Sequence, residues 1–189
     1  MIKDKKQLEY YMECDRVALG VKRKKPKLIG DEIWKFERLM RRLDYARTTN
    51  NRFYELILKL KYRNLGMKLG FSIPCNVFGP GLAIVHYGNI VVSSDASVGE
   101  NCRIHSGVNI GANAGESKAA TIGNNVYIGP GAKIIGNVRI GNNVCIGANA
   151  VIVKNVEPGI TVGGIPARKI SSNDSSKHLN KATEMVKMK

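Results

Sequence analysis

Three histidines, His86, His105 and His178, four cysteines and one acidic residue set in a small-residue stretch, Glu116, are the side chains of this sequence with chemistry to offer. An imidazole titrates near neutrality and can take a proton from a hydroxyl, so a positioned histidine is the first candidate for a general base. Cys14, Cys75, Cys102 and Cys145 are scattered and form no C-x-x-C pair, so they read as small apolar residues rather than as a metal, redox or disulfide set.

What positions these groups is a repeat of six. Counted from Pro74 to Pro158, every sixth residue is apolar except His86 and Glu116, and the residues four further on, Phe78 to Val162, are all apolar. That spacing fits a three-sided prism of short parallel strands that points two side chains inward per hexapeptide, with glycine or asparagine at the corners where the backbone needs positive φ. Three hexapeptides make an 18-residue coil, so residues 74–163 give five coils, stacked about 4.8 Å apart. In this register His86 breaks the interior aliphatic column. His105 follows 19 residues later, one coil plus one residue, at a corner from which it points outward toward its neighbour. Glu116 lies in AGESKAA, which is either an irregular rung or a six-residue loop thrown outward, and it reads as an exposed loop carboxylate.

A stack of coils must be closed at its ends. Stretches 3–19, 31–47 and 51–68 carry helical spacing of apolar residues, with Asp31 and Asn50 as caps of the last two. The chain therefore divides into a basic α-helical segment (1–70), a mainly β domain (71–170) and a polar tail (171–189) expected to be disordered or loosely docked. The first 70 residues hold 19 Lys and Arg against 9 Asp and Glu, so the net charge of +15 is mostly theirs. Basic helices suit an anionic glycan or peripheral contact with a membrane surface. No aromatic and basic residues interleave as a stacking platform for nucleic acid. The sequence has no apolar run of membrane-spanning length and no signal peptide pattern, so a cytoplasmic protein is expected.

The stretches GPGLAIVHYGNIVV (79–92), IGNNVYIGPGAKIIGNVRIGNNVCIGANAVIVKNV (122–156) and VGGIPARKI (162–170) resemble the hexapeptide-repeat acetyltransferases. The serine acetyltransferase branch and its polysaccharide O-acetyltransferase relatives are nearest. The resemblance implies a left-handed parallel β-helix, a homotrimer with sites between neighbouring subunits, acetyl-CoA as cosubstrate and no metal. It places the catalytic base at His86 and groups His105 and Tyr87 with the acceptor. It assigns Gly111, Ala112, Pro130, Ala148, Arg168 and Lys169 to the cofactor. Two departures stand out: the carboxylate that orients the catalytic histidine in the serine branch is replaced by Phe71, and a second histidine by Ala119. The expected acceptor is accordingly a sugar hydroxyl of a bacterial surface polysaccharide or its precursor, with L-serine as the alternative. A metal enzyme of the γ-carbonic anhydrase kind, needing all three histidines around zinc, is a minor alternative.

Overall fold

Polar residues set where the helices begin. The computed structural model describes residues 2–49 and 51–186. Helix α1 (Lys5–Ala18) starts at Asp4, whose carboxylate accepts from the Gln7 amide at 2.8 Å. Helix α2 (Glu32–Ala46) follows Asp31, but the expected capping bond is not made: that carboxylate accepts from the Lys27 amide and pairs with Arg23 instead. Helix α3 (Arg52–Leu69) is capped by Asn51, which accepts from the Tyr54 amide at 2.9 Å. Asn50, the cap suggested by sequence, lies outside the described residues. No described helix is long and apolar enough to cross a membrane.

From Phe71 the chain winds as a parallel β-helix with three faces. The first stacks Phe71–Ser72, Ile90–Val92, Asn109–Gly111, Lys133–Ile135 and Val151–Ile152. The second stacks Ser97–Val98, Thr121–Ile122 and Arg139–Ile140, extended by bridges from Phe78 below and Val156 above. The third stacks Ala83–Ile84, Arg103–Ile104, Tyr127–Ile128, Cys145–Ile146 and Thr161–Gly164, against which Ala167–Ser171 folds back antiparallel. Stacked isoleucines such as Ile104, Ile110, Ile128 and Ile134 are fully buried, each contributing roughly 1.5–3 kcal/mol relative to exposure. At the corner leading into the third face, Asn101, Asn125 and Asn143 all take positive φ. Their side chains hydrogen-bond in a ladder, Asn101 to Asn125 at 2.8 Å and Asn125 to Asn143 at 2.9 Å.

The coils are unequal, and this corrects the sequence register in two places. Val98, Ile104 and Ile110 pair with Ile122, Ile128 and Ile134, 24 residues on, because the segment from Asn113 to Lys118 is an exposed loop rather than a rung. Glu116 sits in that loop, accepting from the Asn113 side chain at 3.3 Å. Lower down, Ile84 pairs with Ile104 and Val92 with Ile110, so the interior column runs Phe78, Ile84, Val92. The corner between Ile84 and Ile90 is two residues longer than its counterpart between Ile104 and Val108. His86 is therefore not an interior residue at all; it stands exposed on the lengthened corner.

The helices close the bottom coil with side chains bonded to its backbone. Arg41 donates to the Phe78 and Gly79 carbonyls, both at 2.7 Å, and to the Asp15 carboxylate. Asp15 accepts from the Gly81 and Leu82 amides, and Glu37 from the Ile84 amide at 2.9 Å. The open edge of the first coil is thus paired by side chains instead of by another strand. The second Glu37 oxygen is buried without a partner, and burial, followed by the Asp15 charge, pushes this carboxyl well above the usual range.

A carboxyl raised on folding binds its proton more tightly in the folded state. Its contribution to stability is full below the unfolded value near 4.5 and is lost as pH rises toward the folded value. Glu37→Gln, which stays neutral, is expected to gain stability relative to the wild type as pH rises above the unfolded value near 4.5. The gain is at most about 1.4 kcal/mol per pH unit, read by urea unfolding at each pH. Parallel pH profiles for the two proteins would show that Glu37 is ionised in the fold.

Of the two expectations for the tail, disordered or loosely docked, the structure shows docking along the coil through Val186. Ser175 is fully buried, its amide donating to the Asn143 carbonyl and its hydroxyl to the Asn125 carbonyl. Thr183 exchanges two hydrogen bonds with Asn101 at the foot of the asparagine ladder. Ala182, in the single turn Ala182–Met185, packs with Cys14, Ala18 and Ala83.

Candidate functional site

The lengthened corner carrying His86 is held from both sides. Below it, the Gly88 amide donates to the Leu69 carbonyl at the end of α3, and the Ile90 amide donates to that of Gly70. Above it, the Gly107 amide donates to the Asn89 carbonyl at 2.7 Å. Gly88 has a φ of 131°, open to glycine and strained for any other residue, and this allows the two extra residues to turn without disturbing Ile90. The corner is rigid in backbone while presenting its side chains outward: Tyr87 is 73% exposed, and no described side chain hydrogen-bonds the His86 ring.

From His86 a column of rings climbs the third face. The His86 and His105 centroids are 6.0 Å apart, those of His105 and Tyr127 5.1 Å, and those of Tyr127 and His178 4.8 Å. His105 therefore is the outward neighbour of His86 that the sequence spacing suggested. Its Nε2 is buried and unpartnered. Burial, then the Arg103 and His86 charges, hold its pKa below the ordinary value, which keeps the ring neutral at physiological pH. The two imidazoles differ accordingly: one is free and exposed, the other packed and half-buried.

Residues assigned to the cofactor by resemblance fall in three places. Pro130 and Ala148 lie on the same corner as His86, higher up, joined to it through the ladder in which Gly131 donates to Ser106 and Asn149 to Pro130. Gly111 and Ala112 are at the next corner, where the exposed loop departs and Gly136 donates to the Gly111 carbonyl. Arg168 and Lys169 line a cleft of about 410 Å³ at the top of the coil, which Lys154 and Glu157 also line.

Phe71 and Ala119 supply nothing to the histidines. Phe71 pairs with Ile90 and packs edge-on against Phe36 at 5.1 Å, and Ala119 is buried. Among the described residues no carboxylate hydrogen-bonds His86 or His105. Burial pushes the thiols up, Cys14 to about 11, Cys75 and Cys102 to about 12, and Cys145 above its ordinary value, which favours their protonated form. Among the described residues no three His, Cys, Asp or Glu side chains are grouped to hold a metal, and Tyr127 stands between His105 and His178. The sequence reading missed Arg103, Tyr127 and Lys177 as members of this region. Tyr127 could have been placed above Arg103, and so beside His105, once the loop after Ala112 is taken out of the count; nothing in the sequence signals that the tail delivers Lys177 and His178.

Comparison with known proteins fits this geometry. The family model described as bacterial transferase hexapeptide (six repeats) matches residues 119–154. No curated protein matches the chain. Among solved structures, the chain is similar to serine acetyltransferase from Neisseria gonorrhoeae at 26% identity and a TM-score of 0.71, over 89% of this chain and 70% of that one. The same organism's enzyme in complex with serine is 27% identical, with a TM-score of 0.67, over 86% and 68%. Serine acetyltransferase from Brucella abortus strain S19 in complex with coenzyme A has this fold at 24% identity and a TM-score of 0.66, over 88% and 67%.

Proposed function

We propose, from the premise that the chain is a hexapeptide-repeat acetyltransferase of the serine acetyltransferase-like type with a left-handed β-helix, that it transfers acetyl from acetyl-CoA to the hydroxyl of L-serine. The observation that carries this reading is the exposed imidazole of His86, fixed in backbone on a corner shared with Pro130 and Ala148. Its ring takes the proton of the acceptor hydroxyl while that oxygen attacks the thioester carbon. The C–O bond forms, the C–S bond breaks, and the proton passes to the departing sulfur as free CoA. Acetyl-CoA as donor is supported by the CoA complex of the Brucella enzyme, and serine as acceptor by the serine complex of the Neisseria enzyme. The reading includes a homotrimer in which a neighbouring copy covers the exposed Tyr87.

A sugar hydroxyl is the second reading, and one specific observation favours it. The positions where the serine branch carries a carboxylate and a second histidine hold the buried Phe71 and Ala119, so the acceptor contacts differ from that branch. CoA release measured with L-serine and with a panel of free and nucleotide-linked sugars separates the two. L-serine is expected to support turnover at least tenfold above any sugar, a preference of about 1.4 kcal/mol in transition-state binding. Turnover with a sugar alone would replace L-serine as the acceptor.

A further inference from the structure

Between the docked tail and the third face lies a cavity of about 330 Å³ lined by Arg103, His105, Tyr127, Lys177, His178 and Asn180 among others. Its charge is one-sided. Arg103 and Lys177 are cationic, no carboxylate lines it, and among the described residues neither makes an ion pair. His105, one of its lining residues, has a buried, unpartnered Nε2 and stands 6.0 Å, ring to ring, from His86. The tail that supplies Lys177 and His178 is anchored on either side of them, by the fully buried Ser175 and by Ala182 with Thr183.

We propose that this cavity binds an anionic group of the acceptor, seating it beside His86. The proposal rests on the reading that the chain acetylates a hydroxyl acceptor, and it names what that acceptor must carry: a carboxylate or phosphate one short spacer away from the reacting hydroxyl. A guanidinium fork with an ammonium and an imidazole beside it matches the planar or tetrahedral oxygens of such a group. The tail is then a functional element: removing it takes away two of the donors and opens the cavity to water. Carboxylate and phosphate are shared chemistry here, and the second could also come from CoA itself, so the test separates donor from acceptor.

Two measurements decide. In imidazole NMR of the full chain titrated with inorganic phosphate, His105 and His178 are expected to shift saturably, and Arg103→Ala to abolish the response; absence of a shift in the wild type would overturn the site. In CoA-release assays, the preference for L-serine over serinol, which lacks the carboxylate, is expected to fall about tenfold in Arg103→Ala and in Lys177→Ala, as for a lost charge-assisted hydrogen bond. An unchanged preference, or a rise in the acetyl-CoA KM in its place, would assign the cavity away from the acceptor. Should the wild type turn over neither compound, L-serine fails as the substrate, and the phosphate titration by itself decides the cavity.

Discussion

His86→Ala is expected to lower the rate of CoA release by about 10²–10⁴-fold, the range for loss of a positioned general base, with the unfolding temperature unchanged. The second half of that expectation follows from the structure: the ring is exposed, no described side chain bonds to it, and its corner is held through backbone groups of Gly88, Asn89 and Ile90. Loss of activity without loss of stability separates a catalytic group from a structural one. His105→Ala serves as the internal comparison, because that ring is packed against Tyr127 and half-buried. If His105→Ala and not His86→Ala abolished turnover, the base would be the packed ring. The pH profile would show it as well. The lowered pKa of His105 places the acid limb of the rate below the ordinary histidine value, since the neutral form is the base and is lost only as pH falls through the folded pKa.

The repeat was written openly in the sequence because an inward-pointing residue at fixed spacing is the condition for coils to stack, and few substitutions satisfy it. The five rungs per face and the three amphipathic helices could be read from it to within a few residues. The six-residue loop could be read only as one of two alternatives, and the lengthened corner not at all. A hexapeptide expelled as a loop keeps the phase of the isoleucines, so the count from Ile110 to Ile122 looks regular while the pairing moves by six. At the other, the phase is hidden because both columns near Ile84 are apolar. By count Phe78 and Ile84 fall among the residues four further on, although they occupy the aliphatic column in space. Treating His86 as an interior break therefore rested on the wrong geometry: the corner is longer, and the ring is outside. Composition left open whether the tail docks. Its few anchors, Ser175, Ala182 and Thr183, are small residues whose burial depends on grooves made by the rest of the chain.

Arg41→Met is expected to destabilise the fold by about 3–5 kcal/mol, the cost of leaving a buried carboxylate without its partner. Arg41 and Asp15 are both about 1–2% exposed in their side chains, with Nε and the carboxylate 2.7 Å apart. The arginine does more than neutralise Asp15. Its other donors satisfy the Phe78 and Gly79 carbonyls at the edge of the first coil, which no strand below can reach. A methionine fills the space but removes the donors to those carbonyls and to the buried Asp15 carboxylate. Arg41→Lys separates charge from geometry. It retains the cation but not the planar fork that reaches three acceptor groups, so its unfolding free energy should lie between the wild type and Arg41→Met. Equal destabilisation by lysine and methionine would place the contribution in the fork alone. Asp15→Asn gives the reciprocal test, since Asp15 also accepts from the Gly81 and Leu82 amides. Asn retains one acceptor oxygen for those amides, so its loss should be smaller than that of Arg41→Met. Denaturant unfolding of the four proteins at one pH gives that order. A fold indifferent to Arg41→Met would mean that the first coil closes without the helices.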